Sequence, residues 1–185
     1  MITTTVPPTL QTFLQLPETK PATEYLDGQS LQKPMPTTRH SLLQFQLAKL
    51  INDLTLSPKI ACALPELRCT FAGQSIVLDI AVLLWNKLSL DQNQEPIDRI
   101  TVAPDWMIEI LSPDRSANRV LAKVFFALDQ GATLGWLVDP IDRSVLICKP
   151  QQQPDYCEGD APLAALPEIP LEITATQLFA LMKMG

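Results

Sequence analysis

Histidine is almost absent from this chain: His40 is the only one in 185 residues. A single imidazole gives little support to a multi-histidine zinc site or a Ser-His-Asp triad, and Ser112 lacks the glycine frame of a nucleophile elbow. Glycine is scarce as well. The six glycines fall in no phosphate-cradling pattern, which argues against a nucleotide-binding loop. The four cysteines, Cys62, Cys69, Cys148 and Cys157, match no zinc spacing. The N-terminus lacks the basic and apolar regions of a secretory signal, so reduced thiols in a cytoplasmic protein are expected, with Cys62 and Cys69 in the core. No apolar run is long enough to span a membrane, and no membrane contact is expected. Charge is sparse, at 18% of residues, and the balance is negative, with a net charge of −6. A broad basic surface for nucleic acid is thereby excluded. Any such contact must be local, assisted by metal, or shared with a partner chain.

Apolar residues make up 46% of the chain, enough for one domain with a real core. Residues 1–22 are rich in threonine and proline and read as an N-terminal arm with a short helix around Leu10 to Leu16. Residues 23–185 read as a single domain. Glu24 to Leu31 is a hairpin turning at Asp27-Gly28. Thr37 or Thr38 caps a helix running to about Leu54, with Leu43, Leu47, Leu50, Ile51 and Leu54 along one stripe. Strands follow near Lys59 to Leu64, Leu67 to Ala72 and Ser75 to Trp85. The polar stretch from Asn86 to Pro104 is long for a loop inside a compact domain, so a functional or mobile role is expected. A strand from Asp105 to Leu111, a helix from about Ser116 to Gln130 capped by Gly131, and strands at Thr133 to Val138 and Arg143 to Cys148 come next. Residues 149–170 carry five prolines and read as irregular chain, and Thr174 or Thr176 opens a terminal helix. The order predicts an α/β (α+β) domain, a mixed sheet flanked by helices.

Two acids stand inside apolar strands. Asp79 lies in Ser75-Ile76-Val77-Leu78-Asp79-Ile80-Ala81-Val82, and Glu109 in Trp106-Met107-Ile108-Glu109-Ile110-Leu111. Either acid alone could face solvent. Buried together they would repel each other and destabilise the fold unless a divalent cation neutralised them. Strand alternation puts Asp79 on the face of Val77, Ala81 and Leu83, and Glu109 on that of Met107 and Leu111. If the strands are neighbours, the carboxylates can meet and hold Mg²⁺ or Mn²⁺. On the following helix Arg115, Arg119 and Lys123 recur every four residues and share one face. A basic stripe beside a metal-binding acid pair is what phosphodiester chemistry needs. A solvated helix face is the alternative for each of the three.

The run Glu109-Ile110-Leu111-Ser112-Pro113-Asp114-Arg115, then Lys123, Gly131 and Gly135-Trp136-Leu137-Val138-Asp139-Pro140, resembles the Uma-type restriction-endonuclease family. Glu24-Tyr25-Leu26-Asp27-Gly28, His40 and Leu78-Asp79-Ile80-Ala81-Val82 are similar to its N-terminal half, with Leu78 where the family tends to have proline. The resemblance spans about Glu24 to Val145. It implies the restriction-endonuclease-like fold of PD-(D/E)XK nucleases, with Asp79 and Glu109 as metal-binding acids and Glu24 as an accessory acid. The nuclease lysine normally stands two residues after the glutamate, where this chain has Leu111. In this family a helical lysine takes its place, and Lys123 matches it.

These readings predict a Mg²⁺-dependent or Mn²⁺-dependent DNA phosphodiesterase. Asp79 and Glu109 would bind the metal, Lys123 would orient water or phosphate, and Arg115 and Arg119 would contact the DNA backbone, with a second copy of the chain as partner. Two alternatives remain: a non-catalytic dimeric interaction module that keeps the fold, and a hydrolase of a small phosphorylated substrate.

Overall fold

The computed structural model of the chain describes residues 9–113 and 116–185. The assignment of Arg115 lies outside the described residues, as do residues 1–8 of the expected arm.

Elements begin and end where local chemistry dictates. Helix α1 (Leu10–Phe13) starts at Thr9, whose side chain accepts from the Thr12 amide. Strands β1 (Thr23–Leu26) and β2 (Gln29–Gln32) form the expected hairpin. Asp27 and Gly28 both take positive φ, 49° and 75°, as a two-residue hairpin turn requires. Helix α2 (Thr38–Thr55) is capped by Thr37, and its stripe of Leu43, Leu47 and Ile51 is fully buried. Strands β3 (Ala61–Phe71) and β4 (Gln74–Leu84) are a long hairpin. The sequence suggested two strands where β3 is one. Pro65 stays in register with Ile80, so the break at Pro65-Glu66 is local: Glu66 takes φ 49°.

The rest of the chain closes the sheet. Strand β5 (Trp106–Ile110) leads into helix α3 (Ala117–Asp129), then come β6 (Leu134–Asp139), β7 (Ser144–Cys148), β8 (Asp155–Glu158) and α4 (Ala175–Ala180). Strand β8 arises inside the proline-rich stretch that reads as irregular. It has four residues, lies between Pro154 and Pro162, and pairs only with β7, so the neighbouring prolines interrupt no interior ladder. Thr174 and Gln177 form a reciprocal capping box on α4.

The eight-stranded sheet runs β2-β1-β4-β5-β6-β7-β8, with β3 also against β4. It is mixed: β5 and β6 are parallel, joined through α3, and the other pairs are antiparallel. Apolar side chains fill both faces. One face packs α2 and α4 against Ile80, Val82, Trp106, Ile108 and Trp136. The other packs Val124, Ala127 and Leu128 of α3 against Ala81, Leu83 and Met107. The four cysteines are free, with Cys69, Cys148 and Cys157 buried.

Two irregularities interrupt the middle of the sheet. β3 runs along one edge of β4, while the other edge is shared: β1 meets it at Ser75 and β5 only from Ile80 onward. Residues 76–79 of β4 therefore face a notch between β1 and β5. Within the notch the apolar pattern also changes side. Ile76 and Leu78 join the α3 face, but Ile80 and Val82 join the α2 face. β3 switches likewise, from Ala61 and Ala63 to Cys69 and Phe71. The simple alternation that grouped Asp79 with Val77, Ala81 and Leu83 therefore breaks at Asp79 itself. Opposite it, Glu66 falls between the paired residues Pro65 and Leu67 and adopts the left-handed conformation.

Candidate functional site

Strand edges expose backbone donors and acceptors that must find partners. In the notch, side chains supply them. Glu24 on β1 accepts from the Val77 amide at 2.9 Å. The Val77 carbonyl accepts from two ammonium groups, Lys33 and Lys123, each at 3.2 Å. The Asp79 carbonyl accepts from Gln44 of α2 at 2.7 Å. Continuing the Ile80–Ile108 register by one step sets Asp79 against Glu109, and the Asp79 carboxylate accepts from the Ile110 amide at 2.8 Å.

Three carboxylates from three strands thus enter one buried cluster. Asp79 and Glu109 are wholly inaccessible, and Glu24 is 5% exposed. Two lysines meet them. Lys123 Nζ lies 2.7 Å from Glu24 Oε1 and 2.7 Å from Glu109 Oε1. Lys33 Nζ donates to Asp79 Oδ1 at 2.6 Å and lies 3.5 Å from Glu66 Oε2. The expectation that the acids need a metal ion to be tolerated is thereby corrected: each has an ammonium group within bonding distance. Burial alone would favour the neutral acid, but His40, Lys33 and Lys123 hold the Asp79 carboxyl well below the usual carboxylate range. Burial likewise works against the Lys33 charge, yet Asp79, Glu109 and Glu66 together keep it above the ordinary lysine value.

His40 stands at the edge of the cluster in the first turn of α2. Its Nε2 is 3.6 Å from Asp79 Oδ2 and its Nδ1 3.2 Å from Ser112 Oγ. Ligand atoms of His40, Glu66 and Asp79 lie within 4.8 Å of one another, close enough to share a cation. They line a pocket of about 230 Å³ with Lys33, Gln44 and Ser112. A second pocket, also about 230 Å³, lies across Lys33 and is lined by Glu24, Ser116, Arg119 and Lys123. Arg119 is exposed, one helical turn before Lys123.

Of the residues marked in the sequence, Asp79, Glu109, Glu24 and Lys123 converge, and Arg119 lines the pocket that Glu24 and Lys123 border. Lys33, Gln44 and Glu66 are the contributors that sequence reasoning missed. Lys33 follows a hairpin and precedes Pro34, a context that reads as a turn. The available signal was arithmetical: three acids in apolar surroundings call for more than one buried cation.

The model of the Uma2 family, described as "Putative restriction endonuclease", matches residues 10–178. A crystal structure from Anabaena variabilis ATCC 29413, described as "a putative nuclease belonging to DUF820", is similar over nearly the whole chain. It is 39% identical with a TM-score of 0.93, and the match covers 96% of this chain and 100% of that one. No curated protein matches.

Proposed function

Starting from a chain that belongs to the Uma2 family, we propose that this protein is a divalent-cation-dependent endonuclease that hydrolyses DNA phosphodiester bonds in the notch between β1 and β5. The observation that carries this reading is the convergence of Glu24, Asp79 and Glu109 with Lys123 from four separate elements, at a break in the sheet, with Arg119 opening onto the adjoining pocket.

The residues fit a cation. Asp79, Glu66 and the Val77 carbonyl already surround a positive charge, the Lys33 ammonium, with hard oxygen donors. Such donors suit Mg²⁺ or Mn²⁺, and the nitrogen of His40 favours Mn²⁺ among the two. Asp79 and Glu109 would hold the ion, with Glu66 and His40 at its border. When bound, it lowers the pKa of a water molecule and stabilises charge developing on phosphate.

The protein's own groups do the rest. Glu24 and Glu109 fix the Lys123 ammonium from two sides, so its charge is positioned before substrate arrives. Arg119, free to reach solvent, holds a neighbouring backbone phosphate. Ile110 N–H and Gln44 fix the Asp79 carboxylate and backbone, so the acid cannot turn away. Supercoiled plasmid should be nicked in Mg²⁺ or Mn²⁺ and left intact in EDTA, and Asp79→Asn combined with Glu109→Gln should abolish nicking. Nicking unchanged by EDTA or by both substitutions contradicts the reading. The neutralisation of the acids by Lys33 and Lys123 also suits a non-catalytic module, and a wild-type protein that never nicks in either metal favours that alternative.

A further inference from the structure

Lys33 lies where a metal ion would. Its ammonium sits among Asp79 Oδ1 at 2.6 Å, the Val77 carbonyl at 3.2 Å and Glu66 Oε2 at 3.5 Å. These atoms form an oxygen cage, and two of its residues, Asp79 and Glu66, belong with His40 to the group able to share a cation. The side chain is 6% exposed, so the ammonium is held in the cage and not merely passing near it. Lys33 also borders both pockets. On one side are His40, Glu66 and Asp79; on the other are Arg119 and Lys123 with Glu24 and Ser116. Its long stem lets the charged end pivot while the backbone stays in place.

Two cations cannot occupy one cage. We propose that Lys33 is an exchangeable internal cation: it fills the metal position of the free protein and is driven by divalent-ion binding into the neighbouring pocket beside Arg119 and Lys123. There it becomes a third positive group for a phosphodiester. This rests on the metal reading above and adds a consequence to it. Metal and phosphate binding are coupled through one side chain, and the coupling is reciprocal. A phosphate that draws Lys33 across tightens the metal, and a metal that expels Lys33 tightens the phosphate.

The cost of expulsion sets the expected size. Apparent affinity falls by the fraction of molecules whose site is competent. If Lys33 fills the cage nine times in ten or more, its removal strengthens metal binding by about tenfold or more. The full-length wild type, Lys33→Met and Lys33→Arg are titrated with Mn²⁺, and free ion is followed by electron paramagnetic resonance. Lys33→Met should bind at least about tenfold tighter than wild type. Lys33→Arg keeps the charge and should bind no tighter. Mg²⁺ titration of wild type labelled with ¹⁵N at lysine Nζ provides a reading that needs no folded variant. The Lys33 ammonium resonance should shift or broaden on saturation.

Equal or weaker Mn²⁺ binding by Lys33→Met overturns the exchange and leaves the metal reading standing. So does tighter binding by Lys33→Arg, or a Lys33 resonance unmoved at saturating Mg²⁺. If neither wild type nor Lys33→Met binds Mn²⁺, the metal reading itself fails and the exchange falls with it.

Discussion

Asp79 has no solvent contact and a full set of partners, so its charge is supported at both oxygens: Lys33 at Oδ1, the Ile110 amide at Oδ2. The sequence suggested the reverse, an acid whose neutralisation in a metal-free protein would relieve repulsion. Asp79→Asn should instead lower the melting temperature of the metal-free protein. It leaves the Lys33 ammonium buried against a neutral amide, and breaking one side of a buried ion pair costs about 3–5 kcal/mol. Some of that is recovered because asparagine still accepts from Ile110. A rise in melting temperature in EDTA would restore the repulsion account. Lys123 is the mirror case, since its removal leaves Glu24 and Glu109 together without their shared cation. Lys123→Ala should therefore do two things: lower the urea midpoint by an amount of similar order and slow DNA cleavage by about 10²-fold or more. Lys123→Arg should rescue little, because a planar guanidinium cannot occupy a site shaped for one ammonium between two carboxylates. A wild-type midpoint and rate for Lys123→Ala would remove it from the site. At this scale the acids and Lys123 were readable because each is a charge in an apolar context. Lys33 was not, because its charge enters from a polar turn on a long stem, and composition around the backbone says nothing of where the stem ends.

Elements explain how these residues come to meet. Helix α3 carries Lys123 and is held down by the adjacent Val124, which packs onto β6 at Gly135. A methyl group at Gly135 would run into Val124 Cγ1. The helix would have to lift, and Lys123 with it. Overpacking of this kind costs about 1–3 kcal/mol. Gly135→Ala should lower stability by that order and reduce cleavage, even though Gly135 touches none of the acids. The check is a urea melt alongside the cleavage rate. A change in stability with unchanged cleavage would show that the seat of α3 does not set the position of Lys123. The same scale shows why the notch was invisible beforehand. Period-two patterning locates strands, but the switch of face at Glu66 and Asp79 conserves apolar content on both sides, so the pattern alone carries no mark of it. Strand β8 was missed for a related reason: four residues between prolines resemble a loop in every local respect, and only the β7 edge reveals the pairing.

Across the whole molecule the negative balance matters more than any one contact. A net charge of −6 works against DNA at long range, so on the proposed reading the basic groups at the notch provide the attraction locally. Few phosphates are then neutralised, and the dependence of DNA affinity on salt should be shallow. Arg119→Ala should weaken binding to every sequence about equally and reduce the salt slope by roughly one. A slope unchanged in this variant would place the DNA elsewhere. Among the described residues no helix is long and apolar enough to cross a membrane. The mixed sheet between helices was legible from element order, and the long hairpin of β3 and β4 from a turn expected at Gly73-Gln74 and formed one residue earlier, at Ala72-Gly73, although Pro65 disguised its first strand as two.

The central claim is that Asp79 lies at the heart of a cation-dependent phosphodiesterase. It is tested most directly by single-turnover cleavage of duplex DNA, wild type against Asp79→Asn, across a Mg²⁺ titration. The account predicts a wild-type rate that rises with Mg²⁺ and saturates, and a variant rate lower by about 10²-fold or more at every concentration. A wild-type rate independent of Mg²⁺, or a variant that cleaves as fast as wild type, would contradict it.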